Sequence, residues 1–449
     1  MARDLTTGKV NKLLLQFTLP LFISVLFQQL YSIADSLIAG RFAGEDALAA
    51  VGASYPITNI FNAVAFGCNI GCSVIISQLF GAKDFKRVKT ATSTSLISCL
   101  TLGTILAVGG ILLTPALMSA IDTPENIFSD SALYLRIYIG GFIFLFIYNI
   151  ANGIFTSLGD SKTPLYFLIF SSVFNVTLDY VLVVFFDMGV AGVAWATFIA
   201  QGLAGVLSVL TLLKHIRRLP VTEKAPLFSF DLLKKIARIS VPSILQQSFV
   251  SVGNVFIQKL INGYGSSVIA GFSASFKLNI FTVNCLYTFG NAVSSFTAQN
   301  FGARKYSRIR EGMKYGSIMA VATGIVFAVV QFTFNVQLVE LFVEGGGSAD
   351  AIEAGSLFLK TVAPFYSFIG IKLVCDGILR GTGSMKLFVI VTFTDLILRV
   401  VLSYVLSPFF GYMGIWWSWP IGWVVANLLS CIFYFRIMKK FENEKKNAV

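Results

Sequence analysis

Charge is what this sequence has little of. Asp, Glu, Lys and Arg make up 12% of its 449 residues, about half the share of a soluble domain. With 56% hydrophobic residues and a mean hydropathy of +0.78, that shortage excludes a soluble protein. Histidine is reduced to one residue, His215, set among Lys214, Arg217 and Arg218 in what reads as a solvated basic loop. This argues against a histidine metal centre and against a proton relay there. The six cysteines (Cys68, Cys72, Cys99, Cys285, Cys375, Cys431) all fall inside or beside apolar runs and read as small helix-packing residues, not as a disulfide framework or a zinc site. No nucleophile stands with a base, and there is no metal-ligand cluster or phosphate loop, so neither an enzyme nor a cofactor is expected. The short alternating runs of barrel strands are missing. The first apolar run is long, carries Gln28, Gln29 and Asp35, and has no small-residue cleavage site, which excludes a signal peptide. The net charge of +12 would suggest nucleic acid in a soluble chain. Here the basic residues sit in short loops between apolar runs, and no nucleic-acid partner is expected.

What is present is apolar sequence in membrane-length segments: 13–39, 52–80, 90–113, 129–156, 163–186, 189–213, 233–261, 268–299, 312–336, 354–380, 386–407 and 412–436. The expectation is an all-α polytopic membrane protein with twelve transmembrane helices. Basic loops (Lys83 to Lys89, Lys214 to Arg238, Arg304 to Lys314) and basic ends alternate with acidic or bare loops (Glu45 and Asp46, Asp122 and Glu125, Asp187, Glu340 to Glu353). That alternation places both termini in the cytoplasm of a multi-pass cell (plasma or inner) membrane protein.

The chain repeats itself. QLFGAKDFKRVK, from Gln78 to Lys89, recurs 221 residues on as QNFGARKYSRIR, from Gln299 to Arg310. At a spacing of 224, Gly153 and Gly159 match Gly377 and Gly383, and Tyr180-Val181-Leu182 matches Tyr404-Val405-Leu406. Pro20 and Pro242 occupy matching places in the first helix of each half. Six is even, so the two pseudo-symmetric six-helix lobes enter the membrane from the same side as parallel repeats. The expected division is an N-lobe at 1–213, a cytoplasmic linker at 214–232 and a C-lobe at 233–449.

Polar residues inside the spans need an explanation. Asp35 lies well inside the first span, where a carboxylate costs roughly 2.5–3.5 kcal/mol on insertion scales. Asn175 and Asp179 stand four apart on one face of the fifth span, and Thr197 lies at similar depth on the sixth. Tyr134, Asn149 and Asn152 add polar groups on the fourth. Two carboxylates close together in hydrocarbon are hard to keep doubly ionised, which favours proton exchange. The same oxygens equally suit Na⁺, and a purely structural hydrogen-bonded network stays open. In the second half, Phe256 (or Asn254, with a small gap) and Ser403 stand where Asp35 and Asp179 would recur. Asp376 has Lys372 and Arg380 at four residues on either side, and Asp395 has Arg399 four on, so helical ion pairs are expected. Lys277 lies deep in the eighth span.

These residues carry a resemblance. The opening from Thr6 to Ser54, the QLFGAK and QNFGAR helix ends, and GIFTSLGDSKTP with its partner GILRGTGSMK resemble the multidrug and toxic compound extrusion (MATE) family over essentially the whole chain. The resemblance implies a V-shaped pair of lobes that acts as a secondary active antiporter. It would export organic, often cationic amphipathic compounds in exchange for H⁺ or Na⁺, with no other cofactor or metal. It implies that Asp35, Asp179, Asn175 and Thr197 couple the cation and that Tyr134, Asn149 and Asn152 line the substrate cavity, with Asp376 a further cavity residue in the second lobe. The chain departs from the branch typified by NorM in having Gln246, Gln247 and Lys277 where that branch has second-lobe acids, and it is closer to the DinF-like or MepA-like branch. The expected partners are small-molecule drugs, H⁺ or Na⁺ and the lipid bilayer, with the protein a monomer. The alternative is a lipid-linked oligosaccharide flippase, which would be expected to present basic residues to a pyrophosphate in its cavity. The topology predicts that cysteines introduced at Glu45, Asp122 and Glu344 react with an impermeant reagent from outside the cell and that those at Lys86, Lys224 and Lys445 do not. Outside labelling at Lys86 would refute the twelve-helix arrangement.

Overall fold

The structure, a computed structural model, describes residues 3–42, 45–221, 223–343 and 348–447, and the side chains among them except those of 33–48 and 444–447. Hydrocarbon offers backbone amides no partner, so each apolar run must close its own hydrogen bonds as a helix. The first half forms α1 (Val10–Phe42), α2 (Glu45–Gly81), α3 (Phe85–Ala120), α4 (Glu125–Ser157), α5 (Lys162–Tyr180) with a π-helical end (Val181–Phe185), and α6 (Gly189–Arg217). The second half forms α7 (Phe230–Ile261), α8 (Ser266–Gly302), α9 (Tyr306–Thr333), a short α10 (Asn335–Glu340), α11 (Ala349–Val362), α12 (Tyr366–Gly381), α13 (Met385–Phe410) and α14 (Tyr412–Asn447).

Among the described residues eleven spans are long and apolar enough to cross a membrane, α11 and α12 counting as one across a 3₁₀ turn at Ala363–Phe365. The twelfth is α7. It has the length, but Asp231, Lys234, Lys235 and Arg238 in its opening turns and Gln246 and Gln247 further on dilute its hydropathy. His215, read as part of a loop, belongs instead to the last turn of α6, where its ring meets the edge of Phe155 at 5.5 Å.

The repeat extends to backbone detail. Both α2 and α8 have 37 residues, offset by 221, and each is closed by a residue in the left-handed region, Lys83 (φ 59°) and Arg304 (φ 57°). In each turn a backbone N–H reaches five residues back, Asp84 to Leu79 at 3.0 Å and Lys305 to Asn300 at 2.8 Å. The turns after α4 and α12 match as well, with Gly159 at φ 77° and Gly383 at φ 75°, a conformation that favours glycine. The halves diverge at Pro364, which breaks the counterpart of α4 into α11 and α12.

Two compact units result, and each takes in the opening of the other half's first helix. Unit 1 holds the chain up to Asp4 and Leu19–Ile244, and unit 2 holds Leu5–Thr18 and the chain from Leu245 on. In unit 2 the opening segment is held by side chains of the α8–α9 region. Leu5 N–H donates to Gln299 Oε1 at 2.9 Å, Lys305 Nζ to the Thr6 carbonyl at 2.8 Å, and Arg308 to the Gly8 carbonyl at 2.8 Å. In unit 1 the start of α7 is held by Thr94, which accepts from Ser229 N–H at 3.0 Å, and by Arg87, 3.1 Å from Asp231. The chain changes unit beside Pro20 in α1 and beside Pro242 in α7, where a missing backbone donor loosens the helix.

At the centre of unit 1 is α4, packed on α2, α3 and α6, while in unit 2 α12 packs on α8, α9 and α14. A Cβ at Gly377 of α12 would run into the Gly290 carbonyl oxygen of α8, and one at Gly290 would stand 2.5 Å from the Leu373 carbonyl oxygen. Replacing Gly377 by Ala should therefore cost about 1–3 kcal/mol by overpacking. Gly109→Ala, where nothing lies within 4 Å, should cost no stability. Thermal unfolding of the purified protein in detergent checks the contrast.

Candidate functional site

The helical period sets Asn175 and Asp179 on one face of α5, and both are buried, at 2% and 0% exposure. The hydroxyl of Tyr31 in α1 donates to Asn175 Oδ1, tying α1 to α5 at this level. Tyr31 precedes Asp35 by one turn of α1; the Asp35 side chain lies outside the described residues. Thr197 on α6 is also buried. Directly after Asp179 the helix widens. Phe186 N–H bonds the Val181 carbonyl at 3.3 Å and Met188 N–H that of Leu182 at 3.1 Å, where the sequence predicted an ordinary helical end. The wide turn settles over the start of α6 because Gly192 brings no side chain there: a Cβ would lie 3.2 Å from Leu182 and Val183. Such π segments are often found at functional sites.

Tyr134 of α4 is joined to this region by packing. It shares a buried cluster with Val183, Val190 and Val193 and stacks on Tyr138 at 6.1 Å, whose hydroxyl accepts from Asn62 Nδ2 at 3.3 Å. Asn149 and Asn152 form a second polar level, separated from Tyr134 by roughly 22 Å of helix rise. Asn149 Nδ2 donates to its own helix at Leu145 (2.9 Å), and Asn152 Oδ1 is buried with no hydrogen-bond partner among the described residues. A Cβ on Gly153 beside them would run into the Asn69 side chain of α2, which adds an amide at this level. Sequence reasoning missed Tyr31, Asn62, Asn69 and the π turn. Of these, Tyr31 was findable, since it stands four residues before an intramembrane acid, on the same helix face.

Unit 2 handles its buried charges differently. Lys372 Nζ lies 2.9 Å from Asp376 Oδ2 and 3.8 Å from Asp395 Oδ2, and Ser430 donates to Asp376 Oδ1 at 2.9 Å, so one lysine serves two acids across α12, α13 and α14. Asp376, expected at a substrate cavity, is held in this network at 2% exposure. The expected pairing of Asp376 with Arg380 does not occur. Arg380 reaches α8 instead, donating to Tyr287 Oη at 2.8 Å and Asn291 Oδ1 at 3.2 Å. Nor does Arg399 pair with Asp395: its guanidinium stacks over the Trp419 ring at 4.1 Å. Lys277 is exposed on α8, with no ion pair among the described residues.

Known proteins match the chain over nearly its whole length. The MatE family model matches residues 20–181 and 242–405, one copy per half. The probable multidrug resistance protein YpnP of Bacillus subtilis is 30% identical over 451 residues, covering 98% of this chain and 99% of that protein. The multidrug export protein MepA of Staphylococcus saprophyticus is 23% identical, covering 98% of this chain and 96% of its own length. Among solved structures, a MOP superfamily transporter from Pyrococcus furiosus superposes with a TM-score of 0.92 at 22% identity, covering 98% of both chains.

The ion network of unit 2 generates its own test. Lys372→Met leaves two buried acids without their cation and should cost about 3–5 kcal/mol, part of which Lys372→Met with Asp376→Leu should restore. Thermal unfolding of the three proteins in detergent reads the difference.

Proposed function

We propose, from the premise that this chain belongs to the MatE family of membrane transporters, that it is a secondary active antiporter exporting organic, often cationic and amphipathic compounds across the cell membrane. The names of its relatives YpnP and MepA support multidrug export as the activity. The observation that carries the coupling half of the proposal is the buried polar face of α5 in unit 1. Asn175, held by Tyr31, stands one turn from the fully buried Asp179, beside the π turn that ends α5, and Thr197 is buried on the neighbouring α6. Asp35, one turn beyond Tyr31, is assigned to the same site.

In this reading H⁺ or Na⁺ enters the cluster from outside and its arrival displaces the cationic substrate. One bound cation suits a pair of carboxylates with an amide and a hydroxyl to complete the oxygen shell. Tyr134, Asn149 and Asn152 line the substrate path, and Asp376 is the second-lobe candidate. The protein works as a monomer with both termini in the cytoplasm, and its sequence halves are the lobes at 1–213 and 233–449 joined by the linker at 214–232.

Replacing either acid by Asn keeps its size and removes its charge change. Asp35→Asn and Asp179→Asn should each reach the membrane at wild-type level and lose most gradient-driven export of a cationic dye from vesicles. The vesicles are driven by an imposed pH gradient and, separately, by an imposed Na⁺ gradient, and the gradient that drives the wild type identifies the ion. Wild-type export by both variants would place coupling elsewhere.

A further inference from the structure

The matching turns of the two units are used differently. In unit 1 the turn after α4 receives the N-terminal segment: Arg3 N–H donates to the Leu158 carbonyl at 2.8 Å, and the Arg3 carbonyl presses on Gly159, leaving no room for a Cβ. Asp160 in that turn accepts from Thr163 through both its backbone N–H (3.1 Å) and its hydroxyl (2.8 Å). Burial works against its ionisation, yet these bonds hold its carboxyl below the usual range. In unit 2 the same turn carries Thr382, Gly383 and Ser384, so that hydroxyls replace Leu158 and the carboxylate of Asp160.

Here a cavity of about 590 Å³ opens instead, lined by Phe301, Thr382, Ser384, Arg436, Lys440 and Phe441. That volume suits a small ligand. The polar lining is cationic and hydroxylic. Arg436 makes no ion pair among the described residues, and Lys386 adds a further charge at the start of α13. The nearby acid Glu442 is paired with Arg310. Thr382 Oγ1 and Ser384 Oγ stand 3.1 Å apart just before α13; the Thr382 hydroxyl is directed at the carbonyls of Ile378 (2.9 Å) and Leu379 (3.1 Å), which leaves the Ser384 hydroxyl to face the cavity. Ile432, Arg436 and Lys440 follow at four-residue intervals on one face of α14, and Leu428, Ile432 and Phe435 are exposed apolar side chains leading up to the basic pair. An apolar stripe ending at two cations and a hydroxyl matches an acyl chain followed by a phosphate.

We infer that this cavity of unit 2 binds the phosphate headgroup of an anionic phospholipid, with Arg436 and Lys440 on the phosphate oxygens and the acyl chains along α14. Basic pockets between helices at the membrane face are suited to such headgroups. The occupant seats against α8, α12, α13 and α14 together and should stabilise unit 2.

The test uses the full-length protein in a neutral detergent, titrated with phosphatidylglycerol, with phosphatidylcholine and with inorganic phosphate, and read by thermal stability and by native mass spectrometry. Phosphatidylglycerol should bind and raise the melting temperature, while phosphatidylcholine and inorganic phosphate should not. Arg436→Gln with Lys440→Gln should weaken phosphatidylglycerol binding at least about tenfold, the scale of losing a charged hydrogen-bond partner. Ser384→Ala should weaken it less. Lys314→Gln with Lys439→Gln removes the same charge outside the cavity and should leave binding within about threefold. Equal loss in the two double variants would overturn the site in favour of general surface attraction. Inorganic phosphate binding as tightly as the lipid would overturn the lipid assignment.

Discussion

Helices meeting in hydrocarbon gain almost nothing from the hydrophobic effect, so they must approach closely enough for dispersion and backbone polarity to hold them. Small residues make that approach possible, and the rest of the structure depends on it. Gly290 and Gly377 bring α8 and α12 backbone to backbone, as Gly271 and Gly355 do for α8 and α11. In unit 1 the place of Gly377 is again a glycine, Gly153, but the place of Gly290 is Asn69, so the room made by one missing side chain holds an amide. The same contact that tightens unit 2 thus lets unit 1 bury polar groups between α2 and α4.

Buried polarity is where the units part. Unit 2 buries whole charges inside its own walls, with Lys372 between Asp376 and Asp395 and the two terminal nitrogens of Arg380 donating to Tyr287 and Asn291. Removing one partner of such a network costs more than the pair itself contributes. Unit 1 instead buries Asn175 and Asp179 on one face of α5, with Tyr31 of α1 donating to the amide, and Thr197 on α6.

Much of this was legible in the residues. Span lengths, the 221- and 224-residue repeats and the even helix count follow from hydropathy and direct matching, because membrane length and backbone satisfaction leave a helix no alternative. The burial of Asn175, Asp179 and Thr197 was legible too, since polar residues deep in a span have to face protein. Contacts between helices were not. Spacing along one helix says that Arg380 and Asp376 share a face, but not that a tyrosine and an asparagine on α8 offer Arg380 a better fit. Nor does hydropathy distinguish α from π turns: Val181–Phe185 is as apolar in either, and the choice depends on Gly192 of the next helix.

Duplication supplies an internal comparison for the site itself. The repeat carries Asn175 to Arg399 and Asp179 to Ser403, and the glycine pairs Gly189/Gly411 and Gly192/Gly414 carry Thr197 to Trp419. Where unit 1 has an amide and a hydroxyl, unit 2 has a guanidinium lying 4.1 Å over an indole ring. Where unit 1 has a buried carboxylate followed by a π turn, unit 2 has Ser403, which donates to the Arg399 carbonyl at 2.8 Å and lies 2.8 Å from Ser418 Oγ, in a helix that stays regular. Unit 2 therefore carries a fixed cation, Arg399, at the place of Asn175, with neither an acid at the place of Asp179 nor an irregular helix after it. The first copy keeps the acid and the irregularity and has no built-in guanidinium at that position. At matched places of one plan, unit 2 buries a permanent cation over an aromatic ring, and unit 1 buries an amide one turn from a carboxylate, so the duplicated positions have been given opposite charge.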